Sequence, residues 1–429
     1  MKPQAEMALI AGLSTAAAAV LGMLALRDSG AQTVSAAEDQ GQPADTATER
    51  AELEPQQTDA PKTTELVMTP APTIVPVAEH VLADVGHWRG KPQLADLNGD
   101  GRLDVVASLR RWDRSTIGDG IHVWLSPTEE GGEWKSSFDG MRRDMGYGGA
   151  SVADVDGDGD LDVAFSGHDQ MPHVFANDGT AKWSSTSDGI VAAGPCSDVV
   201  LADFDLDETM ELAAIGFFAD SGGLTVFSRD ERGVWRTMAE LLPIEDYGSQ
   251  VRALDLDGDG RPELLAATSK GPRVWRFVDG EFVDWSQGLP EPLIGGSDLA
   301  IDAADLDGDG TSELLVAGMI YEGHHPMRLF RWSGETWEAW SEGPPADEAF
   351  FDASFAQLDG RGPLEIVAAG KFGVNVFAMT EPGVFERVGR VADTKGVISV
   401  GIGDATGDGR DEVVHVGFGG VRLIELPND

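Results

Sequence analysis

One nine-residue pattern returns seven times along the 429-residue chain, and nothing else in the sequence restricts the fold as much. Its clearest copy is DVDGDGDLD, from Asp154 to Asp162, where carboxylates stand at alternate positions and the chain then runs straight into apolar residues. Five like charges in nine residues repel one another unless a cation sits among them. Oxygen donors at the first, third, fifth and ninth positions (Asp154, Asp156, Asp158 and Asp162) suit a hard cation of calcium's size. The backbone carbonyl of Asp160 supplies the seventh position, and Gly159 at the sixth turns the chain. An isolated copy would equally describe an acidic surface turn. The recurrence decides between them: DLNGDGRLD begins at Asp96, DFDLDETME at Asp203, DLDGDGRPE at Asp255, DLDGDGTSE at Asp305 and DATGDGRDE at Asp404. A decayed copy, QLDGRGPLE, runs from Gln357 to Glu365. Successive copies begin 47 to 58 residues apart, and a period of that size marks a solenoid, a propeller or an array.

The flanks of each loop are β-like. Before Asp305 stands SDLAIDAA, and after Glu313 comes LLVAGMI, an apolar run of strand length. PMRLFRWSG and TWEAWSEG follow, so one repeat carries four strands, the content of a propeller blade. A glycine lies five residues past the ninth loop position in five copies, at Gly167, Gly216, Gly318, Gly370 and Gly417, where a second strand ends in a close turn. An EF-hand is excluded, because position twelve holds Ala107, Phe165, Ala266 and Val316 in place of a bidentate glutamate, and the flanks are not helical. After the last loop only two strands remain, DEVVHVGFG and GVRLIELPND, whereas a spare segment, TIVPVAEHVLADV, precedes the first loop at 73–85. That segment is expected to form the outer strand of the last blade and close the ring, which leaves no open sheet edge.

A formal net charge of −43 opposes nucleic-acid binding, which needs a basic footprint. Cys196 is the only cysteine, so an internal disulfide and a cysteine zinc site are both excluded, and a buried apolar role is expected. The apolar run at 7–26, behind Lys2, reads as an export signal with small-residue cleavage sites ending at Ala31 and Ala36, or as a retained anchor. Residues 1–31 are therefore assigned as signal peptide or membrane anchor. Residues 32–72, acidic and rich in Pro, Ala, Thr and Gln, form a disordered linker. The folded unit is 73–429, expected to be a monomer that is periplasmic, at the cell surface or secreted, and that meets a membrane only through such an anchor.

Strand, acidic loop, strand and small-residue turn, seven times over, resembles the FG-GAP or VCBS repeat proteins, whose calcium-bearing propeller also forms the head of integrin α subunits. The resemblance implies an all-β, seven-bladed propeller of four-stranded blades. It also implies calcium in the loop between the first and second strands of each blade, on one face of the disc. Carried over by position, the first blade would bind through Asp96, Asn98, Asp100 and Asp104 with the carbonyl of Arg102, and the second through Asp154, Asp156, Asp158 and Asp162 with Asp160. The fourth would use Asp255, Asp257, Asp259 and Glu263 with Arg261, and the fifth Asp305, Asp307, Asp309 and Glu313 with Thr311. The seventh would use Asp404, Thr406, Asp408 and Glu412. The third keeps Asp203, Asp205, Asp207 and Glu211 but has Glu208 where the turn glycine belongs, which strains the loop. In the sixth, Gln357 and Arg361 occupy ligand positions, and the Arg361 guanidinium is expected to replace the ion by pairing with Asp359 or Glu365. Five or six calcium ions follow, structural in role.

The other face is expected to carry the ligand. Trp88, Arg110, Arg111, Trp112, His168, Tyr321, His324 and His325 lie in segments unlike the rest of this acidic chain and suit a protein or glycan partner bearing carboxylates or hydroxyls. No HExxH, GxSxG, P-loop or Rossmann fingerprint occurs. The expected function is a non-enzymatic binding or adhesion module. The alternative is a lyase-like enzyme cleaving acidic polysaccharides, with Arg110, His168 or His324 as base or charge neutraliser.

Overall fold

A computed structural model describes residues 71–109, 120–129, 131–137, 141, 147–167, 170–191, 194–216, 222–290, 300–318, 327–344 and 348–427. The apolar run at 7–26 and residues 32–70 of the expected linker lie outside these residues. Among the described residues all regular structure is β, and the strands form seven antiparallel four-stranded blades, the sixth of them extended by a short fifth strand paired in parallel. The second blade is typical: Tyr147–Ala153, Asp162–Gly167, Gln170–Asn177 and Trp183–Ser185 follow one another from the inner to the outer edge. Each blade's first strand touches the first strands of its two neighbours, round to the contact between Val397–Gly403 and Gln93–Ala95, so the ring is closed. The second strands, such as Asp162–Gly167 and Glu211–Gly216, are buried at every position except Glu365 of the sixth blade, because a blade lies against each face. This is why they read as unbroken apolar runs. The outer strands alternate, as in Ala78–Ala83, or are as short as Lys135–Ser136, which blunts the exposed edges.

The core is divided into seven apolar clusters, each shared by two adjacent blades. Trp337 of the fifth blade, for example, packs in one cluster with Leu265 and Trp285 of the fourth and donates its indole N–H to Trp285 O at 2.8 Å. Cys196 is buried in the cluster between blades two and three, and burial pushes its thiol up to about 12, as befits a packing residue. Nearer the axis the blades are clasped by polar side chains that accept a backbone N–H from the next inner strand. Ser151 accepts Leu201 (3.0 Å), Asp198 accepts Val251 (3.0 Å), Gln250 accepts Ile301 (3.2 Å), Asp302 accepts Phe355 (3.1 Å) and Asp352 accepts Val400 (3.1 Å). Asp352, fully buried, also accepts Gln250 Nε2 at 3.0 Å and the Ser399 hydroxyl, so that one carboxylate joins blades four, six and seven.

Closure follows the expectation in principle and differs in detail. The outer strand of blade seven is Ala78–Ala83, paired antiparallel with Gly420–Glu425 (His80 opposite Leu423). Thr73–Ile74 pairs instead with the sixth blade, parallel to Val384–Val391, with Ala392 N donating to Ile74 O at 2.8 Å. The segment 73–85 thus covers two blade edges. Gly389 permits the second contact, since a Cβ there would lie 2.8 Å from Pro72 O and 2.7 Å from Ile74.

Candidate metal-binding loops

All seven acidic stretches join the first and second strands of a blade, and one hydrogen-bond scheme shapes them. The carboxylate at position one accepts the backbone N–H of position six at 2.7–3.0 Å in six loops, for example Gly159 to Asp154 and Gly310 to Asp305. That curl requires left-handed backbone at positions four and six, and glycine occupies both in every loop but the third (Gly157 φ 77°, Gly159 φ 95°). The third loop adopts the same conformation with Leu206 (φ 60°) and Glu208 (φ 70°). The strain expected at Glu208 is therefore present, and Leu206 adds a second strained residue.

Position nine begins the second strand and points inward. Asp104, Asp162, Glu211, Glu263, Glu313 and Glu412 are 0–2 % exposed. Each of these, and Glu365, accepts the backbone N–H of position two at 2.6–3.1 Å. Position two is itself an apolar plug (Leu97, Val155, Phe204, Leu256, Leu306 and Leu358 are buried), a regularity visible in the sequence but not read there. The aspartates also use their second oxygen: Asp104 accepts Ser126 N at 2.7 Å and Asp162 accepts Asn177 N at 2.8 Å, tying the loop to the third strand. The longer glutamates keep a second oxygen for the loop interior. Burial, with the neighbouring loop carboxylates adding to it, pushes Asp104 and Asp162 up to about 6, Glu263 to about 7 and Glu211 to about 8. Glu313, Glu365 and Glu412 are raised by burial as well.

The donor set fits a hard divalent cation. Three carboxylates meet within 4.8 Å in each of four loops: Asp154, Asp156 and Asp162; Asp203, Asp205 and Glu211; Asp255, Asp257 and Asp259; Asp305, Asp307 and Glu313. All donors are oxygens, and among the described residues no histidine or cysteine joins them. In blade seven the Thr406 hydroxyl stands 3.3 Å from Glu412 Oε1, while Arg410 pairs with Asp408 (2.6 Å) and Glu425 (3.2 Å).

Two side chains that the loop pattern does not contain enter the loops of blades four and five. Arg276, on the third strand of blade four, pairs with Asp257 and lies 3.4 Å from Glu263 and 3.7 Å from Asp259. Arg331, on the third strand of blade five, pairs with Asp307 and donates Nε to Glu313 Oε1 at 2.6 Å. The sixth loop departs from expectation too: Arg361 contributes its backbone N–H, to Asp359 (2.8 Å) and Gln357 Oε1 (3.0 Å), and its guanidinium forms no ion pair among the described residues.

Of the expected ligand face, Arg110, Arg111, Trp112, His168, Tyr321, His324 and His325 lie outside the described residues. Trp88 is corrected by the structure. It is fully buried between blades seven and one, with its indole N–H on Val85 O at 2.9 Å and its ring 5.4 Å from that of Trp124, so it serves the core and cannot meet a ligand. Along the axis runs a cavity of about 440 Å³ to which every blade contributes, through Gln93, Ser151, Val199, Arg252, Asp302, Ser354 and Ile402.

The FG-GAP-like repeat family matches the chain in three places, residues 96–165, 154–214 and 255–316. No curated protein matches the sequence. Among solved structures the chain resembles the crystal structure of BBS1N in complex with ARL6DN, soaked with mercury, at 10 % identity and a TM-score of 0.52, over 84 % of this chain and 98 % of that one. The same complex soaked with lead gives 10 % identity and a TM-score of 0.53, over 82 % and 97 %. At that identity the likeness is one of fold.

Proposed function

From a seven-bladed propeller that carries FG-GAP-like repeats, we propose an exported, non-enzymatic binding module whose ring is stabilised by calcium and whose opposite face engages a protein or glycan. The observation that carries the calcium reading is the inward carboxylate at position nine. Blades one to three bury Asp104, Asp162 and Glu211 beneath further carboxylates. The neutral form that burial favours would waste a conserved geometry of oxygen donors within each loop of this chain, whereas a divalent ion supplies the compensating charge and makes the ionised form the stable one. Asp154 and its equivalents hold the curl, position nine anchors it to the second strand, and the blade's two inner strands are thereby fixed at one end.

The binding reading draws support from the fold and from its neighbours, since BBS1N is a propeller of this kind seen in complex with another protein. Repetition of one loop around the ring singles out no reaction centre. Export is read from residues 1–31, with 32–72 as the tether, as set out from the sequence. The test is thermal unfolding of the full chain in excess calcium and in chelator, with bound calcium counted on the same sample. A large loss of stability on chelation, with ions counted in the loops, is expected. No shift and no bound ion would overturn the calcium reading.

A further inference from the structure

Blades four and five differ from the others at a single equivalent position on the third strand. In each blade this position follows the residue paired with the first apolar residue of the second strand: Trp124, Phe175, Phe227, Trp275, Phe330, Phe377 and Ile424. The next residues in chain order are Leu125, Ala176, Ser228, Arg276, Arg331, Ala378 and Glu425. Only two of the seven are cations, and both reach the acidic loop of their own blade. Arg276 contacts loop positions three, five and nine, and Arg331 contacts positions three and nine. These are positions through which an ion would be held.

A second feature accompanies the first. Arg276 lies over the Trp285 ring, 4.5 Å from its centre, and Arg331 over Trp340 at 5.0 Å. Both tryptophans open matching stretches near the outer strand, WSQG from Trp285 and WSEG from Trp340. A guanidinium is planar and permanently charged, with one edge suited to carboxylates and a face suited to an indole. Each arginine is thus held from two sides, and withdrawing it would cost its stacking as well as its ion pairs. A divalent ion sharing the same two carboxylates would be repelled by the guanidinium.

We propose that Arg276 and Arg331 stand in for the divalent ion in blades four and five, so that these loops hold their shape without metal. This rests on the calcium reading of the remaining loops. Ion binding is then confined to blades one, two, three and seven, where among the described residues no arginine touches both positions three and nine, and the chain binds about four ions instead of the five or six that the loop pattern implies.

The test counts calcium bound to the full chain by equilibrium dialysis. Arg276→Met and Arg331→Met, which keep length and lose charge, are expected to raise the count by one each and to enlarge the drop in melting temperature on chelation. Should either variant fold poorly, ligand changes in the parent answer the same question: Asp257→Ala and Asp307→Ala, which remove the oxygen donor at position three, leave the count unchanged, while Asp156→Ala in blade two lowers it by one. An unchanged count in folded arginine variants, or a fall on Asp257→Ala or Asp307→Ala, overturns the assignment of the arginines and leaves the calcium reading standing. Absence of ions from the parent and the arginine variants alike overturns both.

Discussion

The third loop offers a direct measure of what glycine contributes to this architecture. Leu206 and Glu208 sit at φ 60° and 70°, where the six sister loops have glycine. Holding a side-chain-bearing residue in left-handed backbone costs roughly 1–2 kcal/mol. Glycine returns about 0.5–1 kcal/mol of that through its greater freedom in the unfolded chain. Glu208→Gly is therefore expected to stabilise the protein by about 0.5–1 kcal/mol, and the double change with Leu206→Gly by roughly twice as much. With an unfolding entropy near 2.1 cal/mol/K per residue, a domain of this size converts each kcal/mol into roughly 1–2 °C, within reach of calorimetry in saturating calcium. Glu208→Ala separates strain from charge, because alanine removes a carboxylate next to Asp203, Asp205 and Asp207 while keeping the left-handed strain. The reciprocal change is Gly159→Ala in blade two: an added Cβ there meets nothing within 4 Å, so any loss, expected near 1 kcal/mol, is conformational. If Glu208→Gly proved no more stable than Glu208→Ala, or Gly159→Ala proved harmless, the strain argument would be wrong.

A chain beginning at residue 71 should melt with the full chain, whereas one beginning at residue 84 loses the strands on blades six and seven. The expected cost is on the order of 5 kcal/mol, from about 1 kcal/mol per lost ladder bond, with association through the bared edge visible by light scattering. Asp352→Ala leaves Gln250, Ser399 and the Val400 N–H without their acceptor and should destabilise by about 3–5 kcal/mol in urea unfolding. Asp352→Asn, which still accepts hydrogen bonds, should cost less. In metal-free buffer the raised carboxylates set a pH dependence. In the ion-binding blades the folded values, about 6 for Asp104 and Asp162 and about 8 for Glu211, lie above the ordinary unfolded range. Their contribution is complete below about pH 4 and is lost as pH rises toward 8. The metal-free melting temperature should fall across that window and the calcium-loaded one should not; a metal-free profile that rises instead would refute this.

Much of the ring was legible in the sequence because a repeat states its own period. Asp96, Asp154, Asp203, Asp255, Asp305 and Asp404, with Gln357 in the decayed copy, mark the first turn of each blade, and the apolar runs after Asp104 or Glu263 mark strands covered on both faces. The missing seventh outer strand pointed to the segment before Asp96. Its division between two blades was not legible, since Thr73–Ile74 adds to the ring through backbone bonds that leave little mark on side-chain choice. Trp88 misled because an isolated tryptophan beside charged residues gives no sign of which blade will cover it. Arg276 and Arg331 were hidden for another reason: their contacts with Asp257 and Asp307 span 19 and 24 residues. The signal lay in comparing blades with one another at the third strand, not in any one loop.

The pairing of Ala78–Ala83 with Gly420–Glu425 also has a temporal meaning. The edge partner of the last blade leaves the ribosome ahead of all seven inner strands and its mate only after six blades have been made, so this strand must stay unpaired while more than three hundred residues are added. Ring closure therefore waits for the seventh blade, and a chain cut short within that blade would present a waiting strand at one end and an uncovered blade at the other.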